Sequence, residues 1–130
     1  MIKNLIKSGA YTSGNNVSST NMTNTNDKYE FDASSDTFKV KISGLTEVKA
    51  NVAVNVTSGG VLTLQLYSDG QPIPGAFDTK TVVSGQTKDF QINDVIRTVY
   101  SVNDSYINLS FKFDSDCTLS GGDIILMYER

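Results

Sequence analysis

Asp114 and Asp116, with Asp123 a little further on, are the residues whose types and spacing could do chemistry. Together they could chelate calcium, which takes oxygen ligands. Nothing else of a calcium loop accompanies them, and Asp114-Ser115-Asp116 reads as an ordinary polar turn, so no metal is assigned. Sugar hydrolysis needs two acids facing each other across a cleft. The glutamates are Glu30, Glu47 and Glu129, and the aspartates fall mostly in turn sequences. The chain has no histidine, which removes the commonest general base and the commonest transition-metal ligand. A serine nucleophile therefore lacks its partner, and no Gly-x-Ser-x-Gly elbow occurs. Ser58-Gly59-Gly60 and Ser120-Gly121-Gly122 follow strand-like runs but precede no helix, so neither forms a phosphate cradle. Cys117, the single cysteine, excludes an internal disulfide and a paired-cysteine metal motif. It reads as a small core or edge residue rather than a reactive thiol. The expectation is a protein that binds rather than catalyses, without a cofactor.

Charge narrows the partners. The 130 residues carry a formal charge of −3 and the pI is about 4.7. Phosphate backbones require a basic face, so nucleic acid is not an expected partner. No apolar run approaches the ~20 residues that span a bilayer. Met1 to Lys7 is charged without a long hydrophobic region behind it, so no secretory signal and no membrane insertion are expected. Asn-x-Ser/Thr triplets begin at Asn16, Asn21, Asn55, Asn103 and Asn108, as an asparagine- and threonine-rich chain produces by chance. Such a protein is used inside a cell or leaves it by lysis.

The elements that position these residues are strands. The length fits one domain with one core. From Val48 to Thr57 the chain alternates strictly: Val48, Ala50, Val52, Val54 and Val56 fall on one face. Lys49, Asn51, Ala53, Asn55 and Thr57 fall on the other. A second alternating run sets Leu62, Leu64 and Leu66 against Thr63, Gln65 and Tyr67. Period two marks a strand buried on one side, and the two runs are expected to form a hairpin about Ser58-Gly59-Gly60. Pro72 and Pro74 then bar a regular ladder, leaving Gln71 to Ala76 as an outward loop, with Gly85 to Lys88 as another. Phe38, Val40 and Ile42 face inward from a strand over 37–42. Ile107, Leu109, Phe111 and Phe113 do so from 105–113. The run Asp123 to Glu129 is apolar on both faces, Ile124, Leu126 and Tyr128 against Ile125 and Met127. It lies centrally in a sheet or in a subunit interface. Seven or eight strands and no helix predict an all-β sandwich.

The amino end differs. Ile2, Leu5 and Ile6 either dock on a partner as an adhesive arm or pack on the protein's own core. From Tyr11 to Asp27 asparagine, serine and threonine dominate, and such a tract buries too little apolar area to order itself. The expected division is an amino-terminal arm over 1–28 and a folded domain over 29–130.

Glu47-Val48-Lys49-Ala50-Asn51-Val52, then Leu62 to Tyr67, Asp69-Gly70 and Pro72-Ile73-Pro74-Gly75-Ala76 carry a resemblance. The stretch resembles the tumour-necrosis-factor-like and complement-head-like jelly rolls of bacteriophages and prophages of Gram-positive hosts. The match continues more loosely from Phe31 to Arg130, about three quarters of the chain. It implies an antiparallel jelly roll, assembly as a homotrimer, and a place on a virion as a capsid decoration or head-fibre protein. By that analogy 37–42, 46–57, 105–113 and 123–129 share the sheet that meets its neighbours about a threefold axis. Ala53, Tyr106, Met127 and Tyr128 would then lie at the trimer interface. Ile2, Leu5 and Ile6 would anchor the arm to a capsid or fibre protein. A receptor- or carbohydrate-binding knob that touches a host-surface glycan, and a bacterial surface or spore protein, are the alternatives. The chain lacks the collagen-like repeat that often precedes such knobs, which favours direct attachment to a larger particle.

Overall fold

The computed structural model describes residues 1–22, 27–100 and 106–129. The Asn103 triplet and residues 23–26 of the polar tract lie outside them. Eleven strands occur among the described residues. They are β1 (Ile2–Ile6), β2 (Gly9–Tyr11), β3 (Ser19–Asn21), β4 (Tyr29–Asp32), β5 (Thr37–Val40), β6 (Gly44–Asn55), β7 (Gly60–Ser68), β8 (Gln71–Val82), β9 (Thr87–Thr98), β10 (Ile107–Phe113) and β11 (Cys117–Glu129). One antiparallel sheet has the order β3-β1-β11-β6-β9, with β2 continuing beside β11; the other has β4-β5-β10-β7-β8. These two layers make the predicted jelly-roll sandwich. As its two apolar faces require, β11 is an interior strand, paired on both sides.

The expected hairpin is not formed. β6 pairs with β11 and β9, while β7 pairs with β10 and β8, so the two runs lie in opposite sheets. The reason is their apolar faces. Val48, Val52 and Val54 on one layer and Leu62, Leu64 and Leu66 on the other bury each other when the layers stack. A flat hairpin would leave both faces needing a second cover. Gly59 sits where the chain changes sheets, and a Cβ there would come within 3.0 Å of the Val82 carbonyl oxygen.

The expected four-stranded sheet is also divided. The strands over 37–42 and 105–113 belong to the second sheet, as β5 and β10, while 46–57 and 123–129 belong to the first. Each chain reversal at Ser43-Gly44 and Asp114-Ser115-Asp116 carries the chain across the sandwich rather than along one layer.

Residues 1–22 are not a free arm. β1 pairs with β11 from Ile2 opposite Leu126 to Leu5 opposite Asp123, and Ile2 is fully buried. Ile6, Tyr11 and Val17 complete that part of the core. The polar tract is held by hydrogen bonds rather than by its own grease. The Val17 amide donates to the Phe111 carbonyl at 2.7 Å, and the Lys7 amide donates to the Ser18 carbonyl at 3.0 Å. One segment thus bonds to both sheets and closes one side of the sandwich. The opposite side is closed by β8 and β9: Lys80 Nζ donates to the Asp89 carbonyl at 2.7 Å. Asp78 Oδ2 accepts the Gln91 amide at 2.8 Å.

Two irregularities set which side chains face where. In β11, Leu119 pairs with Val54 and Gly121 with Ala53, so Ser120 is an extra residue. One extra residue inverts the alternation. Cys117 and Leu119 point into the core before the bulge, and Ile124 and Leu126 after it. In β8, Phe77 pairs with Gln65 but Pro72 with Tyr67, so Ile73 to Ala76 bulge out of the ladder. The Gln65 amide nitrogen reaches the carbonyls of Leu66 at 2.8 Å, Ile73 at 2.9 Å and Ala76 at 3.0 Å. A side chain thereby supplies the donors that a regular strand would have offered. The prolines are tolerated because β8 is an edge, and the predicted loop is a bulge within a strand.

Candidate interaction face

The alternation that buries one side of the first sheet leaves a mixed face on the other. In one row across the strands Lys3, Ile125, Lys49 and Asn93 stand side by side. In the next come Leu5, Asp123, Asn51 and Gln91, and in another Met127, Glu47 and Val95. Leu5 is 41 % exposed and Val95 48 %. Lys49 Nζ lies 3.1 Å from a Glu47 carboxylate oxygen; with the lysine half exposed, that pair contributes little to stability. Apolar side chains set among amides and charged groups give a mixed surface that a protein partner could cover.

Ala53 and Met127 stand on this outer face. Tyr106 does not. It precedes β10 in the second sheet, and its ring carries Lys39 Nζ at 4.7 Å from the centroid. Tyr128 has the opposite phase to Met127 and lies at the end of the sandwich, its ring 3.1 Å from where a Cβ on Gly44 would stand. Lys28 Nζ is 5.8 Å from the same ring. Tyr106 is off the expected interface because the strand that follows it belongs to the second sheet, not to the one that holds 46–57 and 123–129. Of the three anchor residues, Ile2 and Ile6 are core and only Leu5 faces outward. Ile125 and Val95 join it there without having been singled out. Ile125 had been read with Met127 on one side of its strand, so the signal was present in the alternation.

The remaining candidates have structural partners. Asp114 Oδ1 accepts the Thr63 amide at 2.9 Å, and Asp116 Oδ1 accepts the Ser13 amide at 2.7 Å. Both carboxylates pin turns, while Asp123 stands away from them beside Leu5. Among the described residues no group of three or more histidine, cysteine, aspartate or glutamate side chains could hold a metal. Cys117 is buried, and desolvation pushes its thiol up to about 11, away from the range of a reactive thiolate. Tyr11 is pushed up to about 12, first by burial. Its hydroxyl lies in hydrogen-bonding contact with the Asn15 carbonyl and accepts the Phe113 amide at 3.1 Å.

No protein-family model and no curated protein matches the sequence. Solved structures do match the fold. The globular domain of zebrafish complement 1qA superposes with a TM-score of 0.72 at 12 % identity, covering 100 % of both chains. Eiger, a tumour necrosis factor from S. frugiperda, gives 0.73 at 7 % identity over 99 % of this chain and 94 % of its own. Murine APRIL at pH 5.0 gives 0.63 at 11 % identity over 94 % of this chain and 97 % of its own. The class is therefore fixed at the level of fold: a jelly roll of the tumour-necrosis-factor and complement 1q type.

Proposed function

We propose that this chain is a homotrimeric binding module of a bacteriophage particle, a capsid decoration or head-fibre protein that assembles through the outer face of its first sheet. The observation that carries the reading is that face itself: Leu5 and Val95 are exposed on it, and Ile125, Met127 and Ala53 are partly exposed beside them. Sister copies would remove these side chains from water, at about 25 cal/mol per Å² of apolar surface. Three linked subunits would then bind a repeated surface with avidity, because second and third contacts form at high effective concentration. The phage setting rests on the resemblance over Glu47 to Ala76. Attachment by a loose amino-terminal arm is no part of the proposal, since β1 belongs to the sheet. The exposed side of that strand contributes Leu5 to the assembly face instead.

Light scattering behind size exclusion tests the assembly, with the wild type and Ile125→Glu compared. The wild type is expected as a trimer and the variant as a folded monomer with unchanged circular dichroism. A wild type that stays monomeric at about 100 μM would overturn the trimer. Mass spectrometry and immunogold labelling of purified particles test the setting, and particles carrying none of the chain would refute it.

A further inference from the structure

A cleft of about 540 Å³ lies where the amino-terminal segment meets the β4–β5 turn. Its lining is mostly hydroxyl, amide and charge. Ser8, Thr12, Asn15 and Ser18 line it with two cations, Lys7 and Lys112; the aliphatic share is little more than Ala10 and Leu119. The walls are set before any ligand arrives. Ser18 Oγ donates to Asp36 Oδ1 at 3.0 Å, and Asn16 Nδ2 donates to the Ser35 carbonyl at 2.9 Å. Asp36 itself adopts φ 55°, a conformation the surrounding turn holds in place.

Charge gives the cleft its character. Lys7 and Lys112 make no ion pair among the described residues. Lys112 Nζ instead lies 5.1 Å from the centroid of Tyr67. Asp36 is the one carboxylate in the lining, so two lysines against one aspartate leave a surplus of one positive charge. The chain as a whole carries −3. A positive cleft on an acidic protein draws anions locally while the rest of the surface repels them. The volume falls in the range of about 300–1,000 Å³ that holds small molecules. An apolar ligand would find few partners here, and a bare ion would leave most hydroxyls and amides unused.

From this placement we propose that the cleft is a binding site for a small polyhydroxylated anion, a sugar acid or a polyol phosphate. Lys7 and Lys112 face the acid group, and the serine, threonine and asparagine side chains face the ligand hydroxyls. None of Leu5, Ile125, Met127, Ala53 or Val95 lines the cleft, so the site stands whether or not the chain forms trimers.

The test is a ¹⁵N–¹H correlation titration of the full chain with glucuronic acid and with glycerol 3-phosphate. Glucose and sulfate serve as controls. Either anionic polyol is expected to shift the amides of Lys7, Ser8, Ala10 and Asn15 with millimolar affinity, and binding should weaken as salt screens the lysines. A response to one of the two assigns the acid group as carboxylate or phosphate. Lys7→Gln and Lys112→Gln keep most of the side-chain stem and should each raise Kd at least about threefold, the pair together about tenfold; their spectra report whether the fold is intact. The proposal fails if neither anion shifts these amides by about 20 mM. It also fails if glucose or sulfate alone does so equally, or if the glutamine variants bind as the wild type does.

Discussion

Replacing Gly122 by alanine strikes the register on which both the core and the outer face depend. Gly122 follows the β11 bulge with φ +125°, and a Cβ there would lie 1.8 Å from the Asn51 carbonyl oxygen, 2.8 Å from its carbon and 3.0 Å from Val52 Cα. All three are backbone atoms of β6. That strand is paired with β9 on its far side and buried on its inner face, so it has little room to retreat. A non-glycine residue at such a φ costs about 1–3 kcal/mol, and forcing an added carbon into close-packed structure costs about 1–3 more. The sum, about 2–6 kcal/mol, compares with a total stability of about 5–15 kcal/mol. At roughly 3–6 °C per kcal/mol for a chain of this size, the melting temperature should fall by about 6–36 °C. Gly121→Ala is the internal control for the close approach, since its φ of +156° also disfavours a side chain but nothing lies within 4 Å of its added Cβ. Thermal melts followed by circular dichroism compare the two. If both variants melt within about 2 °C of each other, the close approach to β6 is not what requires glycine, and the reasoning fails.

Deleting residues 1–22 removes three strands and the core side chains Ile2, Ile6, Tyr11 and Val17. The remainder should lose cooperative melting and expose apolar surface to a hydrophobic dye, and a soluble, sharply melting fragment would restore the idea of a separable arm. Gln65→Ala deprives the β8 bulge of its donor and should cost about 1–3 kcal/mol in urea unfolding; an unchanged midpoint would refute its role. Cys117 and Tyr11 are neutral when protonated, and burial raises both, to about 11 and about 12. Their contribution is whole below the unfolded values near 9 and 10 and is lost as pH climbs through the folded ones. Melting temperature should therefore hold from pH 7 to about 9 and then decline, less steeply in Cys117→Ala; an equal decline in the variant would count against the thiol.

The strands were legible because a one-sided strand writes its period into the sequence, as Val48 to Val54 and Ile107 to Phe113 do. Their partners were not. Alternation shows that a strand has a buried face but does not say whether the next run lies beside it or across from it. That is why β6 and β7 were read as neighbours, and why Tyr106 was placed on the wrong layer. The amino-terminal tract failed for a different reason. Composition measures the apolar area that residues 12–18 bring, whereas their order comes from hydrogen bonds to Phe111 and the 33–36 turn. No local pattern announces those acceptors. The cleft is harder still to read, since Lys7, Asp36 and Lys112 are distant in sequence and meet only when both sheets are built.

The double apolar face of β11 was the one clue that spoke to assembly, and the bulge explains how it works. Without Ser120 as an extra residue, the inward phase of Cys117 and Leu119 would continue through Asp123, Ile125 and Met127. An aspartate would then enter the core, and Ile124 and Leu126 would face water. With it, two consecutive hydrophobic sets are divided between the sandwich and the outer face. A strand that satisfies the core on one side and, in the proposed trimer, a contact on the other cannot be simplified to strict alternation. The fold alone would accept polar residues at Ile125 and Met127, as it does at Lys49 and Glu47 directly beside them. Their apolar character is the part of β11 that the proposed trimer would use.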